Sequence, residues 1–516
     1  MDLLFVIDQR GPLSMSHLMR ECLTNPKYGY YMTRMRPSND GSSSSSTAST
    51  ASTASTASIA STAATPHQEI FGARGDFITS PEISSMFGES LTVYLVSKWR
   101  ELGSPRRIKL VELGPGRGTL MSDILRQSRQ SFPDFYKALA SVHLVELSPA
   151  LRDEQRRLLT PLVGKEIALT HLDSLEQFLP DVGATVPQRP SSRRVAVDNN
   201  DNNNNNNNSI NNDDDGNNDV FLLSHEFFDC LPVNVYERVD GVWNEKHLDY
   251  DVETDEFRFV HRKLDVNVKQ QLIDSAAFHL PPAMQLKSTP LSARAAASTS
   301  TSTAATTTSA ATNAMLSTLA LDANRRIANA AAPLGAELSA RLAALASASA
   351  SSSSSSSSPS PTYDLSSTDY IEVSFEAMQV FERATQLVAA RGGLQLLIDY
   401  GNVRVDYPSM RFIANHEIVE HVDSAFLKSA LGNVDVSVDV HFAPLMALAN
   451  KLGLAPLLSS QAAFLRRCAI EPLVVRKLTK CTSDADAAGV IGEFRRLTDD
   501  AQMGRIYKVL EFMKKI

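Results

Sequence analysis

A doubly wound α/β domain on a mostly parallel sheet is the fold this sequence predicts, and two observations carry that expectation. Short, nearly all-apolar runs alternate with helical patterns, as strands buried on both faces of a parallel sheet require. One of these runs opens into a glycine-rich turn and then a helix pattern, the strand–turn–helix unit of nucleotide-cofactor sites.

In chain order, Ser14 can cap a helix reaching about Cys22, with Leu18, Met19, Cys22 and Leu23 at helical spacing. Asn25–Tyr31 (NPKYGYY) follows as a turn with aromatic anchors. Ser80 as N-cap with Pro81 after it marks a helix start, and that helix is expected to run to about Leu102 with Ile83, Phe87, Leu91, Tyr94, Leu95 and Trp99 near one face. The strand candidates are Ile108–Leu113, Val142–Leu147, Val220–Ser224 and Leu394–Ile398, with helical patterns at Thr119–Gln127, Ala150–Leu159 and Ser374–Ala390. Between the last two strands, Val235–Val239 and Val242–Tyr250 flank an Asp240-Gly241 turn as a hairpin, and Glu256–His261 adds a strand. Val434–Phe442 alternates apolar and polar residues, which suits an antiparallel strand near the sheet edge.

Three stretches break this pattern. Gly41–Thr65 is nearly all Ser, Thr and Ala; Asn199–Asn218 is almost entirely Asn and Asp; Lys287–Thr362 is rich in Ala, Ser and Thr and contains the homopolymer Ser351–Ser358. Such segments bury too little apolar surface to offset chain entropy, so disordered insertions are expected at 41–65, about 190–219 and 285–362, with scattered Leu and Met in Ala314–Leu345 compatible with an isolated helix. The expected organisation is an N-terminal helical region over 1–103, a catalytic core over 104–516, and a β cap inserted at 233–284.

The formal charge of −8, without a basic stripe, argues against nucleic acid as a partner and suits a cationic one. Cys22, Cys230, Cys468 and Cys481 are scattered with no CxxC pair, which argues against a disulfide framework or thiolate zinc site and favours a reducing compartment. No apolar run approaches a membrane span, and Met1–Arg10 reads as the start of a folded helix rather than a leader.

Four motifs carry chemistry. In IKLVEL-GPGRG-TLMSDIL, Gly114, Gly116 and Gly118 permit positive φ and close approach of backbone to a ligand. The dinucleotide fingerprint would need glycine at 119, where Thr119 stands. Glu112, just before the turn, would repel a pyrophosphate and attract the ammonium of a methionine moiety. Together these point to S-adenosyl-L-methionine. Glu146 closes the next strand (VHLVEL), where an acid can accept ribose hydroxyls; the competing reading is a solvated strand-end acid. Asp173, in THLDSLEQF, has the place of an adenine-side acid or of a helix N-cap.

SHEFFDCLP lies at the carboxyl end of a buried strand, where open α/β sheets bind ligands. Glu226 and Asp229, with Phe227 between them, could grip a guanidinium through charge-assisted bonds, or merely cap the following turn. His225 reads as a hydrogen-bonded structural histidine. In GDFITSPE, Asp76, Thr79, Ser80 and Glu82 either close over cofactor or acceptor, or order the loop. Asp399-Tyr400-Gly401 lines the site or turns the chain, and Asp435, Asp439 and His441 read as exposed strand positions. No metal cluster and no Ser–His–Asp signal is visible.

Taken together, LTNPKYGYY, GDFITSPEISSMFGE, LVELGPGRGTLMSDILR, VHLVELS, LSHEFFDCLPV, LLIDYG and the segment around NVDVSVDVHFAP resemble the MidA-type protein arginine methyltransferases that assist assembly of mitochondrial respiratory complex I. That resemblance implies a class I Rossmann-like methyltransferase fold with a seven-strand sheet. It implies symmetric dimethylation of an arginine on a core complex I subunit in the mitochondrial matrix. It also places S-adenosyl-L-methionine on Gly114, Gly116 and Gly118 with Glu146 at the ribose, and the acceptor near HEFFD. Rival readings are a non-catalytic assembly chaperone that binds the cofactor, and a nicotinamide-dependent oxidoreductase, which Thr119 disfavours.

Overall fold

Apolar runs that alternate sides of a strand can be buried on both faces only if helices cover the sheet from above and below, and the chain is arranged that way. The computed structural model describes residues 2–33, 78–178, 219–264, 368–414, 417–430 and 433–516. The bulk of the three low-complexity segments, the helix considered in Ala314–Leu345, residues 265–284 of the expected cap, and Asp76 lie outside the described residues.

The main sheet contains β1 (Ile108–Leu113), β2 (Leu139–Val145), β3 (Ala168–Leu172), β4 (Asp219–His225), β5 (Gly393–Asn402), β6 (Leu457–Ser460) and β7 (Tyr507–Lys514). Their spatial order is β3-β2-β1-β4-β5-β7-β6, and the short strand Val440–His441 pairs in parallel with the end of β5. Neighbours from β3 through β5 run parallel, while β7 runs antiparallel to both β5 and β6. The order reverses at β1 and β4, so the crevice beyond their carboxyl ends is where such a sheet binds ligands.

Alternation along each strand divides the core. Ile108 and Leu110 of β1 face the helices Ser85–Glu101 and Thr119–Ser131, while Val111 and Leu113 face Phe375–Arg391 and Phe442–Lys451. Phe221 and Leu223 of β4 join the first cluster, Val220 and Leu222 the second. Each side chain buried this fully contributes about 1.5–3 kcal/mol relative to exposure.

The N-terminal helices do not pack alone. Ser14 caps Met15–Thr24 by accepting from the His17 N–H at 3.4 Å. Leu3, Ile7, Leu18, Met19 and Leu23 share a core with Val235, Leu248 and Phe257 of the β cap and with Val434 and Val436. The cap is a five-stranded sheet in which Asn234–Val239, Val242–Asp251 and Glu256–Lys263 are joined by Leu13–Ser14 and Tyr370–Val373.

Three expectations need correction. The helix expected from Ser80 to Leu102 is two helices, Ser80–Ile83 and Ser85–Glu101, separated at Ser84, whose extended backbone (φ −161°, ψ 137°) lets its hydroxyl cap the second by accepting from the Met86 N–H at 3.3 Å. Ser80 is not the N-cap; Thr79 holds that position, and the Ser80 hydroxyl donates instead to Gln461 Oε1 at 3.3 Å. Val434–Phe442 is not one strand: Asp435–Ser437 pairs antiparallel with Arg411–Ala414 in a separate three-stranded sheet, Val440–His441 joins β5, and Phe442 begins a helix.

Candidate functional site

The turn after β1 is shaped by its glycines. Gly114, Gly116 and Gly118 have φ of +61°, +53° and +85°, the left-handed region that side chains strain to occupy. A Cβ on Gly114 would lie 2.6 Å from Phe227 Cδ2, so the turn after β1 and the turn after β4 touch across the sheet. Thr119, which departs from the dinucleotide pattern, donates its hydroxyl to Glu82 Oε1 and ties the helix that follows the turn to the GDFITSPE segment.

Both turns open into one cavity of about 1100 Å³ at the carboxyl ends of the strands. Its wall includes Thr79, Glu82, Glu112, Gly114, Gly116, Glu146, Asp173, Glu226, Phe227 and Asp229. Of the residues singled out from sequence and described, Ser80, Gly118, Asp399, Gly401 and His441 are not on that wall. Ser80 is buried, and its backbone N–H donates to Glu226. Gly118 packs behind, against Gln155.

Glu112 is 2% exposed; burial pushes its carboxyl up to about 8, and Oε2 has no hydrogen-bond partner among the described residues. A buried carboxylate oxygen without a donor is costly, and a cation in the cavity would satisfy it. Glu146 is partly buried and raised to about 7 by burial, while Ser148 N–H donates to Oε1 at 2.8 Å and Gln155 Nε2 to Oε2 at 3.5 Å. Gln155 Nε2 also donates to the Gly116 carbonyl at 2.6 Å, coupling Glu146 to the glycine turn. Asp173 is exposed, and its carboxyl is held low chiefly by the hydrogen bond from Arg152, whose Nε also donates to the Glu146 carbonyl at 2.6 Å. Arg152 thus joins the tips of β2 and β3, a role the sequence reading missed.

The second half of the cavity is built on SHEFFDC. Asp399, fully buried at the end of β5, accepts from the N–H groups of Phe227, Phe228 and Asp229 at 3.2, 3.0 and 3.3 Å through Oδ2. Those three bonds fold the turn that presents Glu226, at φ +49°, and Asp229 to the cavity. Asp399 therefore turns the chain, while Tyr400 lines the cavity and donates its hydroxyl to Asp229 Oδ2. Glu226 receives a hydrogen bond from Tyr507, yet burial, reinforced by Asp229, pushes it up to about 8. Burial likewise raises Asp229. Glu226 Oε1 and Asp229 Oδ1 are buried without a hydrogen-bond partner among the described residues. His225 Nε2 lies 3.5 Å from Glu226 Oε1 without forming a hydrogen bond; its ring packs edge-on to Phe87 (centroids 5.0 Å apart), and burial lowers it to about 3, leaving it neutral.

Asp435 is the largest correction. Expected on an exposed strand face, it is 2% exposed, lines this cavity and accepts from the Tyr31 hydroxyl at 2.9 Å. Asp439 also lines it, bonded to Arg411 Nη1 at 2.9 Å and to the Tyr407 hydroxyl at 2.6 Å, and His441 is held neutral by burial, lowered to about 4. Alternation in VDVSVDV marks a polar face, but water and a buried site select the same residue types, so spacing alone could not separate them.

The strand order, the antiparallel β7 and the glycine turn facing a second acidic turn define a class I methyltransferase fold. A family model described as "Putative S-adenosyl-L-methionine-dependent methyltransferase" matches residues 90–459, and the chain belongs to that family. A crystal structure from Burkholderia thailandensis, described as a likely methyl transferase bound to S-adenosyl-homocysteine, superposes with a TM-score of 0.56 at 17% identity, covering 100% of this chain and 91% of that one. At that identity it shows the fold. The chain is 36% identical over 263 residues to the mitochondrial protein arginine methyltransferase NDUFAF7 of Xenopus laevis, covering 50% of this chain and 47% of that protein. It is 32% identical over 259 residues to the human protein of the same name, covering 50% and 46%. The chain thus spans just under half the length of these curated relatives.

Proposed function

We propose that this protein is an S-adenosyl-L-methionine-dependent protein-arginine N-methyltransferase acting in mitochondria, forming symmetric dimethylarginine on a core subunit of complex I. One observation carries the reading: Glu226 and Asp229, each with a buried carboxylate oxygen that accepts no hydrogen bond among the described residues, line the same cavity as Glu112 and the glycine turn. Two cationic groups, a cofactor ammonium and an acceptor guanidinium, would satisfy both sets. The names of the curated relatives support arginine as acceptor and mitochondria as location.

The residues present fit the cofactor. Glu112 would take its ammonium, Gly114 and Gly116 the backbone approach, Glu146 the ribose hydroxyls, and Asp173, at the cavity edge, the adenine side. Bound there, S-adenosyl-L-methionine supplies an electrophilic methyl group on a sulfonium. Catalysis on such a group is mainly positioning and charge stabilisation. Glu226 and Asp229 grip guanidinium N–H groups, concentrate its positive charge on the nitrogens they hold, and leave the remaining nitrogen the better nucleophile. The methylated guanidinium carries the same single charge as before, so one proton must leave the attacking nitrogen. Glu226, whose carboxyl is pushed up to about 8, can hold that proton at Oε1. Asp399 keeps both carboxylates in place through the three N–H bonds it accepts. Thr79 and Glu82 line the cavity from the GDFITSPE side and would limit water entry there.

The test is methylation of recombinant complex I core-subunit fragments by the full chain with labelled cofactor, followed by analysis of symmetric dimethylarginine. Wild type is expected to label an arginine and Gly116→Val to label none. No labelling by wild type, or full activity in Gly116→Val, would sink the proposal.

A further inference from the structure

We propose that Asp435, held by the Tyr31 hydroxyl, is the third carboxylate of the acceptor subsite and makes that subsite selective for a guanidinium. The inference rests on the methyltransferase reading above and extends it to residues outside the Glu226–Asp229 turn. Asp435 comes from the three-stranded sheet, paired with Ile413, and Tyr31 from the short N-terminal helix Tyr30–Thr33. Neither belongs to the main sheet, yet both line the cavity beside Glu226 and Asp229. The Val438 N–H donates to the Asp229 carbonyl at 3.0 Å, which pins the Asp435 segment to the acidic turn. Proximity shows in the electrostatics too: Asp435 adds to the upward shifts of Glu226 and Cys230.

An acidic cluster alone would be ambiguous, but a second observation points to a ligand. Asp229, a residue of the cavity wall, is 7% exposed, and its Oδ1 is buried without a hydrogen-bond partner among the described residues. Arg411, a cation on this part of the wall, offsets part of the upward shift of Asp229 by its charge, but its Nη1 bonds Asp439 at 2.9 Å and its Cζ lies 4.9 Å from the Tyr400 ring centroid. Three carboxylates therefore face a region walled by the phenols of Tyr31, Tyr400 and Tyr507. Among the described residues no group of three or more His, Cys, Asp or Glu side chains is arranged as metal ligands would be. A guanidinium matches such a box: it is planar, permanently charged and carries five N–H donors, against three on a lysine ammonium. Glu226 and Asp229 can take donors on the nitrogens they hold, and Asp435 one further N–H, which leaves the attacking nitrogen free on the side of the cofactor.

The experiment uses the full chain and the core-subunit fragment that wild type methylates. Acceptor KM, kcat and S-adenosylhomocysteine affinity are measured for wild type, Asp435→Asn and Tyr31→Phe. N-acetyl-L-arginine amide serves as a competing probe, and the citrulline analogue as its neutral isostere. Loss of one charge-assisted contact predicts an acceptor KM raised about tenfold in Asp435→Asn and about threefold in Tyr31→Phe, with cofactor affinity within about twofold. Inhibition by the arginine amide should weaken in parallel, and the citrulline amide should not inhibit. Unchanged KM and unchanged inhibition in both variants would overturn the role of Asp435 alone. If Asp435→Asn fails to bind cofactor and is misfolded, Tyr31→Phe decides by the same criteria. Failure of wild type to methylate any arginine would instead overturn the underlying reading, and this inference with it.

Discussion

Glu112→Gln should make the ligand-free protein more stable while weakening cofactor binding, an opposition that follows from one buried oxygen. The carboxyl is raised from 4.5 to about 8 by burial. Between those values the folded state keeps a proton that the unfolded chain releases, so stability falls as pH rises through that window and levels above it. At pH 7 the penalty is about 3 kcal/mol, from about 1.4 kcal/mol for each pH unit above 4.5. Glutamine removes it but leaves a buried amide short of partners, which returns about 1–2 kcal/mol. The net gain of about 1–2 kcal/mol corresponds, for a fold of this size, to a Tm about 1.5–3 °C higher. The same substitution deletes the charge opposite the cofactor ammonium, worth about 1.5–3 kcal/mol, or roughly 10- to 100-fold in Kd. S-adenosylhomocysteine at a hundredfold excess over the wild-type Kd stabilises wild type by about 2.7 kcal/mol and the variant by about 0.4–1.4 kcal/mol. Thermal melts at pH 7 with and without that ligand read both effects. A variant that melts below wild type and keeps the full ligand-induced shift would refute the reasoning.

Three further expectations follow from the site. In Gly114→Ala the new Cβ would meet Phe227 at 2.6 Å in a left-handed backbone, so cofactor binding measured by equilibrium dialysis should fall at least about tenfold. Asp399→Ala leaves the three N–H groups of Phe227, Phe228 and Asp229 without their acceptor, and urea unfolding should show a loss of about 2–5 kcal/mol. Because Glu226 is raised to about 8 and only its ionised form can accept guanidinium N–H groups and a proton, kcat/KM for the acceptor should climb about tenfold per pH unit below 8 and level above it. Glu226→Gln should flatten that limb and lower kcat by about 10²–10⁴-fold with cofactor affinity retained, and an unchanged limb would exclude Glu226 as the titrating group.

The parts legible in the sequence were those in which one physical constraint fixes the residue type. Strands buried on both faces must be apolar, so β1 was found at its full extent and β4 and β5 by their interiors. The β1 turn needs glycines, and its ligand's charge was readable from Glu112. The strands β6 (LLSS) and β7 (YKVLEFMK) were missed because their patterns are interrupted: Glu511, 5% exposed, sits within β7 and is paired with Arg467 at 2.6 Å. Long-range partnerships were not legible. Nothing local in VDVSVDV reveals that Tyr31, some four hundred residues earlier, covers Asp435. Nor does LLIDYG reveal that Asp399 holds the HEFFD turn. Both depend on which segments the sheet order brings together.

The measurement that bears most directly on the central claim is mass spectrometry of methylarginines in complex I core subunits from cells lacking this protein, rescued with wild type or with Glu226→Gln. The account predicts symmetric dimethylarginine at a defined residue with wild type and its loss both without the protein and with the variant. The same modification in cells without the protein, or full restoration by Glu226→Gln, would contradict it.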